Sequence, residues 1–284
     1  MRVIRALEGP LDFVAVGHVT LDRVPGTTRL GGAAAFASVT AAMLGFRSGL
    51  LTSAAPDFPH WGSLEGVEIH CLEAPRTTEF ENLYEGSERR QRVLAQAAPL
   101  TEASLGSIQP RLREDGAVLY CPVVHEVQVL LAPLAREGLS GVVPQGYFRR
   151  WSENGIVRPR DWENALEALA PAHLVVMSEE DHFAPEEIAE EFPGLAFAVT
   201  KGAKGVRIYS AGDVYDLPSF PAVEVDPTGA GDVFAAAFLV ALREKQPVVR
   251  AARFASCAAS LAVEAPGVEG IPTRGAVEAR LRAG

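Results

Sequence analysis

DPTGAGDVFAAAFLVAL, residues Asp226–Leu242, sets a turn rich in glycine and aspartate directly in front of an apolar run with helical spacing. A helix beginning at Gly229–Gly231 points its first amides outward, because they have no partner inside the helix. The positive end of the helix dipole lies there too. Two glycines remove the Cβ atoms that would hold a ligand away, so the turn reads as a cradle for phosphate or for charge developing on a phosphoryl group. Asp232 falls in the first turn, where a carboxylate can take a proton from a nearby hydroxyl as a general base. In a bare GxGD string the same aspartate reads as a helix cap. The full string on a strand-turn-helix is more specific. The flexible turn is then the site, and the apolar helix is the anchor that fixes it in the core.

The surrounding chain predicts an α/β architecture. Asp12–Val19 (DFVAVGHV) and Ser48–Pro56 read as buried strands, with an Ala-rich helix between the glycines of GGAAAFASVTAAMLG, Gly31–Gly45. Beyond Asp115, the runs GAVLYCPVV, SGVVPQG, HLVVMS and LAFAVTKG alternate with helical segments over Asp161–Ala170 and Pro185–Phe192. Strands alternating with helices imply a mostly parallel central sheet covered on both faces. Gly205–Leu217 reads as a hairpin. Helices are expected over Gly229–Glu244, Pro247–Glu264 and Arg274–Arg282. From Val67 to Leu100 polar and apolar residues alternate, the pattern of exposed antiparallel strands, so this region is expected to form a small inserted sheet.

Composition bounds the function. The chain of 284 residues is 48% hydrophobic and 22% charged, ordinary for a globular protein with a sizeable core. A net charge of −10 argues against nucleic acid or an anionic membrane surface as partner. Cys71, Cys121 and Cys257 form no CxxC pair, which speaks against a disulfide framework and a structural zinc site. The N-terminal MRVIRALEGPLDF lacks the apolar core of a signal peptide. A cytoplasmic location is expected.

DPTGAGDVFAAAFL resembles the C-terminal signature of the ribokinase-like, or PfkB-type, carbohydrate kinases, whose usual form is DTTGAGDxF. The resemblance extends over nearly the whole chain and leans toward the family's inositol-kinase branch. It implies one ribokinase-like α/β domain, residues 1–284, with lid strands inserted at about residues 18–30 and 67–98. It also implies ATP as donor, Mg²⁺ on the phosphates and a hydroxymethyl acceptor. Asp232 corresponds to the catalytic base, and the amides of Gly229, Ala230 and Gly231 to the anion hole. GHVTLD resembles the first strand with a substrate-binding aspartate, Asp22, which as a bare residue also reads as a turn before Pro25-Gly26. Gly31 and Gly32 resemble the Gly-Gly pair under the sugar, and both also suit a plain helix start. Asn82 on the lid and Gln145 after a strand end are further candidates for substrate binding, with Thr78, Glu81, Tyr84, Arg90, Arg92 and Arg149 as neighbours.

VTKGAKGV resembles the family's T-x-G-x-x-G nucleotide segment, giving Thr200, Gly202 and Gly205. Thr228 belongs to the signature. FASCAASLAV resembles the helix beside the adenine, giving Cys257 and Ser260. Lys201 reads either as a phosphate contact or as a solvated surface lysine. Two departures stand out. Phe36 occupies the place of a substrate-binding Asn, so the pocket is expected to recognise an uncommon acceptor. The family's N-x-x-E becomes Ser178-Glu179-Glu180-Asp181, leaving Asp181, or Glu180, to hold metal-bound water. A nucleoside kinase, with Phe36 stacking a base, and a non-catalytic sugar or nucleotide sensor are the rival readings. Exposed lid strands invite pairing between subunits, so a homodimer through the lid is expected.

Overall fold

The computed structural model describes residues 1–85, 88–181, 184–192 and 194–283, and for residues 83–85, 88–90 and 185 the backbone alone. Ten strands form one sheet in the order Arg2–Arg5, Val67–Glu73, Ser48–Ala54, Leu11–Val16, Leu112–Tyr120, Leu139–Val142, Leu174–Ser178, Ala196–Thr200, Val206–Ser210 and Asp213–Leu217. From Val67–Glu73 to Ala196–Thr200 neighbours run parallel. The outermost pairings at both edges are antiparallel.

Period-2 alternation explains why the inner strands read as continuous apolar runs. Phe13, Ala15, Ala117 and Leu119 pack on one face with the helices Ala33–Met43, Ala230–Arg243 and Val248–Ala262. Val14, Val16, Val118 and Tyr120 pack on the other. Every residue from Ala33 to Ala41 is buried. A helix closed in on all sides must be made of small residues, which accounts for its alanines.

The chain runs from Leu11–Val16 outward to one side of the sheet, then returns to Leu112–Tyr120 and runs to the other. The carboxyl ends of these two neighbours form the switch point where open α/β sheets bind ligands. Glu126, 3% exposed, locks it: its carboxylate accepts the amides of His18, Val123 and Val124 at 2.8–3.0 Å.

A four-stranded sheet, ordered Thr27–Gly31, Thr20–Val24, Thr78–Glu85 and Glu88–Ala95, stands over this edge as the lid. Its outer face carries the ion pairs Arg23–Glu79 and Arg92–Glu81. Its inner face buries Phe80 and Val93 against the core. His18, fully buried, ties down the lid root through Thr78 Oγ1 at 2.7 Å and the Ala98 carbonyl at 2.8 Å. A hairpin of Arg149–Trp151 and Val157–Pro159 docks on the lid's outer edge, where Val93 donates its amide to the Gly155 carbonyl at 2.9 Å.

One boundary differs from the sequence expectation. Val67–Glu73 is a buried strand of the central sheet, not a lid strand. Its polar residues, Glu68 and His70, are 1% and 4% exposed and pair with each other, while His70 Nδ1 has no partner among the described residues. The Glu68 carboxylate accepts His70 Nε2 at 2.9 Å, two bonds from Arg111 at 2.8 Å and the Leu7 amide. These donors hold its pKa down to about 2 against the opposing effect of burial. Alternation here marks an internal ion cluster, not solvent.

Candidate active site

The helix Ala230–Arg243 begins at Gly229, which is left-handed at φ +80°. Thr228 donates its amide to Asp226 Oδ1 at 3.0 Å, and the Gly267 amide reaches Asp226 Oδ2 at 3.3 Å. The Asp226 carboxylate thus fixes the approach to the cradle. The Ala230 amide is engaged by the Pro227 carbonyl at 3.2 Å. Of the three amides expected to form the anion hole it is the one already committed. Among the described residues, the amides of Gly229, Gly231 and Asp232 have no protein partner. Gly231 is exposed, with open space where a Cβ would stand.

Asp232 keeps partial access to water. Desolvation first, and then the neighbouring carboxylate of Asp181, push its pKa up to about 7, while the Arg149 charge opposes them. Its field reaches the buried Cys121 at the end of Leu112–Tyr120. Asp232 therefore lies near the carboxyl end of Leu112–Tyr120. Gln145 donates to Asp181 Oδ1 at 2.8 Å, and the Ser178 amide to Oδ2 at 2.9 Å. Asp181, Gln145, Arg149 and Asp232 thus border one space. Arg149 is seated by its neighbours: its carbonyl binds His125 Nε2, and the His125 ring lies 5.1 Å from Trp151.

Across the cleft, Asp22 lies on the lid strand Thr20–Val24 and accepts the Thr20 hydroxyl at 2.8 Å. A Cβ on Gly31 would fall 2.5 Å from Asp22 Oδ1 and 2.6 Å from its Cγ. Gly32, at φ +96°, passes against the His18 carbonyl, where a Cβ has no room. Both glycines are therefore demanded by close backbone approach. Gly31→Ala should displace the Asp22 carboxylate and raise KM for the acceptor about 10-fold, the loss of one charged hydrogen bond, with KM for the donor unchanged. Steady-state kinetics in both substrates check this.

Asn82 shares the inner lid face with Phe80 and receives a 3.4 Å contact from Gln91. Glu81 and Arg92 sit on the outer face, paired at 3.4 Å, and do not face the pocket. The side chains of Tyr84 and Arg90 lie outside the described residues. Phe36 also departs from expectation. It is 2% exposed and turned beneath Gly229, where it can neither touch an acceptor broadly nor stack a base.

On the donor side, the Thr200 hydroxyl donates to the Met177 carbonyl at 3.2 Å. Gly202, at φ +55°, has open space on its Cβ side. Gly205, at φ +101°, is pressed against Leu217 and Ser219, a structural requirement of the hairpin. Thr228 is exposed at the cradle. Lys201 pairs with Glu186 at 3.5 Å and Lys204 with Glu179 at 3.1 Å. Cys257 and Ser260 do not line the groove as expected. Cys257 is fully buried against the Val277 carbonyl of the last helix, and Ser260 bonds Arg280 at 3.3 Å. Helical periodicity alone could not say that this face would meet Arg274–Ala283.

The donor set decides whether a cation fits here. Among the described residues no cluster of three or more His, Cys, Asp or Glu could hold a metal. Asp181 keeps lone pairs beyond its two donors, and with Asp232 it makes the space negative. This suits a Mg²⁺ carried mainly by donor phosphates and water, with Asp181 reached through water.

The family profile of the pfkB carbohydrate kinases matches residues 161–274, the stretch that carries the cradle and Asp232. Over that stretch the chain is similar to the pfkB family of carbohydrate kinases. That family comprises phosphotransferases acting on hydroxyl groups, and its ribokinase fold is the one described above. Ribokinase of Bacillus subtilis (strain 168) is 52% identical over 92 residues, 32% of this chain and 31% of that protein. Cytidine kinase of Thermococcus kodakarensis is 28% identical over 86% of this chain and 92% of its own. A solved pyrophosphate-dependent kinase of the ribokinase family superposes with a TM-score of 0.74 at 25% identity, covering 94% of this chain and 99% of that one. Among the described residues, no helix is long and apolar enough to cross a membrane.

Proposed function

We propose that the chain transfers the γ-phosphoryl group of ATP to a hydroxyl of a small sugar, sugar acid or cyclitol. The observation that carries this reading is Asp232 beside the unpartnered amides of Gly229, Gly231 and its own residue. The acceptor oxygen attacks the γ-phosphorus and its proton passes to Asp232. The bond from phosphorus to the bridging oxygen breaks, and ADP leaves with that electron pair. The unpartnered amides take the charge on the transferring group, and Asp22 holds other acceptor hydroxyls on the lid side. Mg²⁺, when bound, supplies positive charge to the donor phosphates.

ATP is favoured over bare pyrophosphate by an apolar strip beside the cradle. Val223 and Val225 are 78% and 61% exposed on the segment entering the loop. Such side chains suit the face of a purine, which pyrophosphate lacks. A nucleoside acceptor is the second reading, supported by the cytidine kinase match over 86% of the chain. The buried Phe36 ring withdraws the stacking partner that reading relied on. A cytoplasmic site of action fits ATP as donor. Two subunits pairing through the lid would use the strand Thr27–Gly31, because the 149–159 hairpin already sits on Glu88–Ala95.

The test is an initial-rate panel of sugars, sugar acids, inositols and nucleosides, each with MgATP and with magnesium pyrophosphate. Turnover of a polyol with MgATP supports the reading. Turnover with pyrophosphate alone overturns the donor, and turnover of nucleosides alone overturns the acceptor.

A further inference from the structure

Phe36 stands where the family places a substrate-binding amide, yet its ring is not in the pocket. We propose that Phe36 is a positioning residue that sets the height of the anion hole. The proposal rests on the reading of Gly229–Asp232 as that hole.

The ring is the floor of the cradle. A Cβ built on Gly229 would overlap it, and the three nearest atoms are all Phe36 ring carbons, with Cγ at 2.6 Å. Gly229 is the left-handed residue at which the loop turns into the helix Ala230–Arg243, so its orientation aims the amides that follow. The ring is held firmly. Phe36 lies in the first turn of the helix Ala33–Met43, where its amide contacts the Gly32 carbonyl at 3.4 Å and its carbonyl accepts the Thr40 hydroxyl at 2.8 Å. That helix starts at Gly31–Gly32, against which Asp22 packs. One rigid path therefore links the acceptor grip, Asp22, to the donor grip, Gly229, through a single ring. In-line transfer depends on the spacing of those two grips, and an error of about 1 Å can cost about 100-fold in rate.

A planar, incompressible ring suits this task better than an amide. An Asn at position 36 would leave a gap under Gly229 and a polar group that must find partners. The exchange of amide for ring moves residue 36 from reading the acceptor to bracing the loop.

The test compares Phe36→Leu and Phe36→Met with the wild type. The first probe is binding of MgADP with and without aluminium fluoride, which mimics the transferring phosphoryl group. Wild type should bind the fluoride complex more tightly than MgADP. Both variants should keep MgADP affinity within about 3-fold and lose about 10-fold of the added affinity, because only the anion hole has moved. On the best acceptor, kcat should fall by about 10- to 100-fold with both KM values nearly unchanged. Phe36→Leu and Phe36→Met keep an apolar side chain, so the fold is retained, and their melting temperatures are recorded beside each binding curve. A variant that raises acceptor KM while keeping kcat would overturn the proposal and return Phe36 to the pocket wall. A variant with a lowered melting temperature and unchanged preference for the fluoride complex would reduce it to core packing. Absence of any preference in the wild type would instead sink the anion-hole reading itself.

Discussion

Asp232→Asn is expected to lower kcat by about 100- to 10,000-fold, the range for loss of a general base, while MgATP still binds. The pH dependence should follow the same group. Asp232 ionises near pH 7 in the folded chain. In wild type, kcat/KM should therefore climb about tenfold per pH unit below that value and level off above it. The residual rate of the Asn variant should lack this limb. Stability should move the opposite way. The folded pKa of about 7 lies above the ordinary 3.8, so the native state holds a proton that the unfolded chain has released. Stability is full below pH 4 and declines as pH rises through 7. Because water still reaches Asp232, the loss is about 1–2 kcal/mol at pH 8 rather than the value for full burial. Asp232→Asn should raise the melting temperature at pH 8 and leave it unchanged at pH 4. Equal melting curves at both values would contradict the raised pKa.

Gly229→Ala should be nearly as damaging to catalysis. At φ +80° an added Cβ costs about 1–2 kcal/mol in strain, and here it also meets the Phe36 ring at 2.6 Å and closer. The loop must lift or the ring must turn, and either change misaligns the amides of Gly231 and Asp232. A fall in kcat of about 100-fold is expected, comparable to removing one donor from an anion hole. Gly231→Ala provides the contrast. Its Cβ meets nothing in the protein, so the fold should be untouched while the methyl group intrudes on the donor. Wild-type kcat in the Gly229→Ala variant would show that the left-handed turn does not aim the cradle.

Much of this was legible in the sequence because the inner strands are buried on both faces. Phe13 to Val16 and Ala117 to Tyr120 alternate between two cores, so no polar position interrupts them. The start of the helix Ala230–Arg243 was legible because a glycine turn stands directly before an apolar run of helical spacing. The illegible parts share one physical cause: side chains that satisfy each other across long sequence separations. Glu68, His70 and Arg111 make a buried strand look exposed. Cys257 and Ser260 look available until Arg274–Ala283 covers them. Glu126 gathers amides from two strand ends with no local sign of that task. Phe36 sits at the expected place in its helix, and only the path of Gly229 above it reveals what the ring supports.

The account turns on Asp232 as the base for phosphoryl transfer at this cradle. The direct measurement is single-turnover transfer from γ-labelled MgATP to the best acceptor, for wild type and Asp232→Asn at pH 6 and pH 8. The predicted result is label on the acceptor with wild type, faster at pH 8, and a slow, pH-independent transfer with the variant. Equal transfer by both proteins, or label released only as free phosphate, would contradict it.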